Sequence, residues 1–265
     1  MIARYRSYDA LKVEWAAPGV LRVAFNRPEH RNAMNDAVHR QISDIWRDID
    51  SDEDVRAVLV SAEGSDFCVG GELEMVVGML EDRDQRRRTM GEAGRLVYNM
   101  INCAKPIVSA MQGSAIGGGL AVGLLADISI AAKDARLIDG HVRIGLAAGD
   151  HAVLIWPLLC GLAKAKYHVM MNVPLDGEEA ERIGLVSRAV DAADLDRVAV
   201  EAAKKLAALP AFAVRSTKHA FNAWLRAAGP HFDLSHVYEE NSFDTDDVAV
   251  AIHALRARKA DPRKQ

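Results

Sequence analysis

Cysteine is scarce: Cys68, Cys103 and Cys160 are the three in 265 residues. Three isolated thiols give no disulfide framework and no paired metal-ligand spacing. A reducing, cytoplasmic setting is the expectation. Long apolar runs are also missing. The best candidate, residues 115–126, falls short of the roughly 18 residues a bilayer span needs and is broken by glycine. Residues 1–8 carry charge but no apolar stretch, so no secretory leader is expected. Neither sign of charge dominates, with a net charge of −4 and a pI near 6.1. That excludes a broad basic field and removes nucleic acid from the expected partners. No G-x-x-x-x-G-K-[ST] loop occurs, and neither glycine-rich segment fits G-x-G-x-x-G in a dinucleotide-binding context.

What is present is an ordinary globular composition. A chain of this length buries roughly 75% of its unfolded surface and needs no staples. Residues 11–15 and 20–25 alternate apolar and polar side chains around Pro18-Gly19, which predicts an opening hairpin. Asn35 caps a helix to about residue 49, with Val38, Ile42, Ile45, Trp46 and Ile49 on one face. Residues 55–60, 106–111 and 128–132 read as buried strands. Residues 64–71 form a loop, and 83–103 and 117–125 read as helices. Strands alternating with helices define an α/β class with at least partly parallel pairing. After Val190 the pattern becomes helical, over residues 195–209, 211–228, 231–243 and 247–260. Pro210 and Gly229-Pro230 separate the first three. The expected division is an α/β core over residues 1–205 and a helical C-terminal region over 206–265. Arg86-Arg87-Arg88 reads as a solvated helix face. Trp156, among Leu154, Ile155, Leu158 and Leu159, belongs either to the core or to a pocket wall.

Two glycine-rich segments carry the chemistry. One is Phe67-Cys68-Val69-Gly70-Gly71-Glu72-Leu73. The other is Gly113-Ser114-Ala115-Ile116-Gly117-Gly118-Gly119-Leu120. Each follows a buried strand and precedes helix-like sequence. Glycine lets a backbone approach a ligand closely, and a helix start offers unpaired N–H groups. Two such groups aimed at one oxygen make an oxyanion hole. Either segment alone also suits a tight turn or a close helix–strand contact.

Together with Asn26-Arg27-Pro28, Asn32-Ala33-Met34-Asn35, Ala110-Met111-Gln112-Gly113 and Gly184-Leu185-Val186, these segments resemble the crotonase (enoyl-CoA hydratase/isomerase) superfamily. The resemblance runs over nearly the whole chain, with the motifs in order. It implies a crotonase-like spiral of β-β-α units with a helical C-terminal region that builds homotrimers or dimers of trimers. It implies an acyl-CoA substrate, with coenzyme A as part of that substrate and no separate cofactor. The implied oxyanion donors are the N–H groups of Gly71 and Gly118, with Val69, Glu72, Leu73 and Gly117 beside the substrate. The loop at Arg31 and Ala33 would grip the CoA moiety, and Lys259 would supply a cation to it.

Two departures stand out. The superfamily's hydratases hold one water between two glutamates. Here the matching positions are Ala121 and His141. Alanine cannot transfer a proton. His141 is a capable general base, and Asp150, nine residues on, is placed to orient it. That pair resembles the superfamily's carbon–carbon hydrolase branch, which cleaves β-diketones. Asp139 is a rival orienting group, His151 a rival base, and Glu239, in the helical region, a carboxylate that could reach the site in a trimer. No metal site is expected from His141 and His151. Three readings follow: an acyl-CoA lyase or isomerase, a β-diketone or β-keto thioester hydrolase, and a non-catalytic acyl-CoA-binding protein.

Overall fold

The computed structural model describes residues 2–260, with side chains through residue 257. The chain opens with strands β1 (Leu11–Ala17) and β2 (Val20–Phe25), paired antiparallel with Val13 opposite Val23. Helix α1 (Asp36–Ser51) follows, capped by the Asn35 side chain accepting from the Val38 N–H. Its apolar face is buried as its spacing predicts. The β-branched runs β3 (Ala57–Ala62), β4 (Ile107–Met111) and β6 (Ile128–Ala132) join the sheet in parallel. Between them lie helices α2 (Leu73–Glu81), α3 (Arg83–Asn102) and α4 (Gly118–Leu124). Short strand β8 (Arg188–Val190) completes the order β1-β2-β3-β4-β6-β8. The mixed α/β class agrees with the sequence reading.

A second, smaller sheet positions the site. It pairs β5 (Ser114–Ile116) with β7 (Arg136–Ile138) in parallel. Single bridges extend it, joining Met34 to Gly71, Cys68 to Ala115 and Leu137 to Leu175. Successive turns of the chain therefore stack beside one another.

The rest is helical: α5 (Ala152–Met170), α6 (Gly177–Arg182), α7 (Leu195–Ala208), α8 (Ala211–Ala227), α9 (Gly229–Ser242) and α10 (Asp246–Ala260). Gly161, at φ 77°, breaks α5 into two pieces. The 205/206 division falls inside α7, whose Ala199 and Ala203 are buried in the core. Among the described residues no helix is long and apolar enough to cross a membrane.

The charge run at 86–88 is corrected. Arg87 and Arg88 are exposed, but Arg86 is buried. Its Nη2 donates to Asp244 Oδ1 at 2.9 Å, and its guanidinium lies over the Phe243 ring. One helix turn cannot keep three consecutive residues on one face. Trp156 belongs to the core, fully enclosed.

Candidate active site

The small sheet brings the two glycine segments side by side. The Met34 N–H donates to the Gly70 carbonyl, and the Glu72 N–H donates to the Met34 carbonyl. The Cys68 N–H donates to the Ser114 carbonyl, and the Ile116 N–H donates to the Cys68 carbonyl. These bonds use the neighbours of Gly71 and Gly118. No backbone acceptor for the Gly71 or Gly118 N–H is present among the described residues. Gly118 opens α4, so its N–H is one of the first-turn donors that no helix satisfies internally. Gly117 turns the chain there with φ 52° and ψ −125°, a region that favours glycine. Gly71 and Gly118 both line one cavity of about 410 Å³. Its walls are mostly apolar, including Met34, Leu73, Met75, Met79, Phe243 and Ile252.

Around this cavity stands a cluster of titratable side chains. His141 lies just before a short 3-10 turn at Val142–Ile144, and its side chain is only 11% exposed. A Cβ on Gly117 would sit 3.6 Å from its Cε1, so the ring lies against the second glycine segment. The His141 Nδ1–H donates to Asp139 Oδ1 at 3.2 Å. On the other side, Nε2 faces Asp150 Oδ2 at 3.5 Å and Glu239 Oε1 at 3.6 Å. The expected orienting bond from Asp150 is thus not a hydrogen bond. Asp139, the sequence rival, holds the ring.

Asp150 is oriented from behind. The Trp156 Nε1–H donates to His151 Nε2 at 3.2 Å. Indole only donates, so His151 Nε2 is an acceptor and its proton sits on Nδ1. That Nδ1–H donates to Asp150 Oδ1. His151 is fully enclosed, does not line the cavity and holds Asp150 from behind. Asp150 Oδ2 is left facing the site, 3.8 Å from where a Cβ on Gly118 would stand. Ligand atoms of Asp139, Asp150 and His151 lie within 4.8 Å of one another. Both His151 ring nitrogens already have partners, Nδ1 at Asp150 and Nε2 at Trp156.

Glu239 reaches the cluster from α9 of the same chain, not from a neighbouring subunit. No local pattern around Glu239 signals this. The contact depends on Gly149, where a Cβ would lie 2.5 Å from the Glu239 Cβ. Ser242 Oγ also accepts from the Ala147 N–H at 3.1 Å, tying α9 to the same loop.

The electrostatics separate these groups. Burial alone would push His141 down, but Asp150, Asp139 and Glu239 outweigh it and hold the imidazole well above its ordinary range. Burial alone would raise Asp150, but the charge of His141 and the His151 hydrogen bond hold its carboxyl well below the usual range. Burial dominates at Glu239 and pushes its carboxyl up to about 8. The cluster thus favours a proton on His141 and on Glu239 and disfavours one on Asp150.

The remaining sequence candidates divide. Val69, Leu73 and Gly117 line the cavity. Glu72 does not; it accepts from Arg27 Nη2 at 2.8 Å. Ala33 is buried, and its carbonyl accepts from Arg27 Nη1. Arg31, expected at a CoA phosphate, donates instead to Asp66 and Ser114 Oγ, although much of it remains exposed. The Lys259 side chain lies outside the described residues. Ala121 is fully buried on α4, so no carboxylate approaches the cavity from that position.

Fold and site together define a crotonase-type architecture. A family model described as enoyl-CoA hydratase/isomerase matches residues 16–260. The chain belongs to the enoyl-CoA hydratase/isomerase family. An enoyl-CoA hydratase/isomerase structure from Mycobacterium paratuberculosis superimposes with a TM-score of 0.89 at 31% identity, covering 93% of this chain and 98% of that one. A 1,2-epoxyphenylacetyl-CoA isomerase from Escherichia coli is 27% identical, over 91% of this chain and 94% of its own length. The mitochondrial Delta(3,5)-Delta(2,4)-dienoyl-CoA isomerase of Pongo abelii is 32% identical, over 80% of this chain and 68% of its own length.

Proposed function

We propose that this chain is an acyl-CoA isomerase. The free N–H groups of Gly71 and Gly118 form an oxyanion hole that polarises the thioester carbonyl, and coenzyme A arrives as part of the substrate. Each donor in such a hole is worth roughly 3–4 kcal/mol to the transition state. Proton transfer falls to the His141 cluster. The observation that carries this reading is that two buried carboxyl groups, Asp150 and Glu239, face the same imidazole nitrogen at 3.5 and 3.6 Å, one held low by His141 and His151 and the other pushed up by burial. Groups whose environments drive their pKa values apart supply a base and an acid. Asp150, ionised beside Gly118, removes a proton from the carbon next to the thioester. His141 balances the charge as the enolate forms, the protonated Glu239 returns a proton elsewhere on the acyl group, and the proton taken by Asp150 passes back to Glu239 through the His141 Nε2 that both face. All three come from one side of the cavity. Ala121 offers no carboxylate as a second grip on a water, which favours proton movement over water addition.

The test is proton exchange in heavy water, followed by NMR on an acyl-CoA such as hexanoyl-CoA. Exchange at the α-carbon is expected in the wild type and lost in Asp150→Asn. The rate is expected to fall as pH rises through about 8, where Glu239 loses its proton. Crotonyl-CoA hydration without any exchange would remove the isomerase reading.

A second reading has its own support. His141 and Asp150 both line the cavity, as hydrolysis of a β-diketone or β-keto thioester requires. Cleavage of a cyclic β-diketone, with no exchange on thioesters, would select it.

Self-association as a homotrimer or a dimer of trimers is part of the proposal. Phe221 and Trp224 on α8 are each 70% exposed beside Leu158 and Leu159 on α5. Apolar surface of this kind marks an interaction site. Sedimentation at the 28.9 kDa monomer mass would refute it.

A further inference from the structure

The cavity contains a polar pair that the proton chemistry does not use. His39 on α1 lines the same cavity as Gly71 and Gly118. Its Nδ1 lies 2.8 Å from Glu92 Oε2 on α3. The two side chains are only 9% and 14% exposed. Among the described residues no partner is present for the other ring nitrogen, Nε2, and that atom is not one of the sealed, unpaired polar atoms. It therefore keeps accessible surface on a residue that lines the cavity. Thr89, one turn before Glu92 on α3, lines the same wall. The surroundings are otherwise apolar: Met34, Met75, Met90 and Leu96.

A plain hydrocarbon chain has no use for this arrangement. Burying a polar pair in an apolar wall costs free energy, and a leucine there would serve a simple acyl group better. The imidazole edge offers a hydrogen bond to an oxygen on a ligand entering the cavity. We infer that His39, backed by Glu92, is a polar subsite for a hydroxyl or keto oxygen carried on the acyl group away from the thioester. This rests on the reading that the cavity holds an acyl group. With Nδ1–H donating to Glu92, the Nε2 lone pair accepts from a hydroxyl. With the ring protonated, Nε2–H donates to a carbonyl. Glu92 fixes the ring in either case, so it is a positioning residue and His39 is the contact.

Calorimetry with hexanoyl-CoA, 6-hydroxyhexanoyl-CoA and 5-oxohexanoyl-CoA tests the subsite. In the wild-type protein one oxygenated thioester is expected to bind about tenfold tighter than hexanoyl-CoA, as one well-made hydrogen bond in an apolar wall allows. The favoured derivative tells a hydroxyl from a keto ligand. In His39→Leu the ratio is expected to fall to near one, with hexanoyl-CoA binding as well as before or better. Glu92→Gln keeps the size of the side chain and is expected to lose part of the preference. It carries the test if His39→Leu does not fold, as thermal melting would show. Equal binding of all three thioesters by the wild type, or an unchanged ratio in the variants, would overturn the subsite alone. If none of the three binds, the acyl-CoA reading falls and the subsite with it.

Discussion

In His141→Ala, turnover of an acyl-CoA is expected to fall by about 10²–10⁴-fold, while thioester binding survives. His141 is the single cation inside a group of three carboxyls, with Asp139 at 3.2 Å, Asp150 at 3.5 Å and Glu239 at 3.6 Å. Removing it leaves like charges buried together. Such groups take up protons instead of remaining ionised. Asp150 then rises towards the ordinary range or above it, and the base and acid lose their difference. Binding is spared because Gly71 and Gly118 act through backbone N–H groups that the substitution does not touch. Steady-state kinetics and calorimetry on the same preparation would separate the two. Unchanged kcat would remove His141 from the mechanism, and lost binding would show it to be a structural keystone.

The second large effect is expected at Gly118. Proline there deletes the N–H. Position 118 begins α4, where proline is tolerated because the first-turn N–H has no helical partner in any case. The nearest obstacle to a Cβ is the end of the flexible Met34 side chain. A fall in kcat of about 10²–10³-fold is therefore expected, as for removal of one oxyanion donor. The melting temperature should stay near that of the wild type. A proline variant with full activity would show that the Gly118 N–H never meets the developing charge. Paired with His141→Ala, it measures the oxygen-binding half of the site against the proton-transfer half.

The sheet was legible because its strands are β-branched runs with turn residues at their ends. The C-terminal helices were legible because Pro210 and Gly229-Pro230 punctuate them. Strands β5, β7 and β8 were not named, since three residues are too few to show a period. The two glycine segments were readable because close backbone approach leaves a residue-type signature. The partners of His141 were less so. Asp150 and His151 are neighbours in sequence, and nothing local tells which faces the cavity. Trp156 settles it from inside the core by fixing the His151 tautomer. The place of Glu239 follows from the packing of α9 on Gly149, a contact between segments 90 residues apart in sequence. His39 looked like one more residue on the first helix, and its meaning depends on Glu92 from another helix.

The free N–H groups at Gly71 and Gly118 belong to the main chain, whereas every acid and base here is a side chain. The two halves of the site therefore answer to mutation differently. A single base change can replace a proton donor or acceptor. No ordinary replacement except proline removes a peptide N–H. On the proposed reading, the frame can keep its hold on a thioester oxygen while the reaction carried out beside it is exchanged. Engineering a new activity into this protein is best begun on α4, at the loop ending in Asp150 and on α9, with the glycine turns left alone.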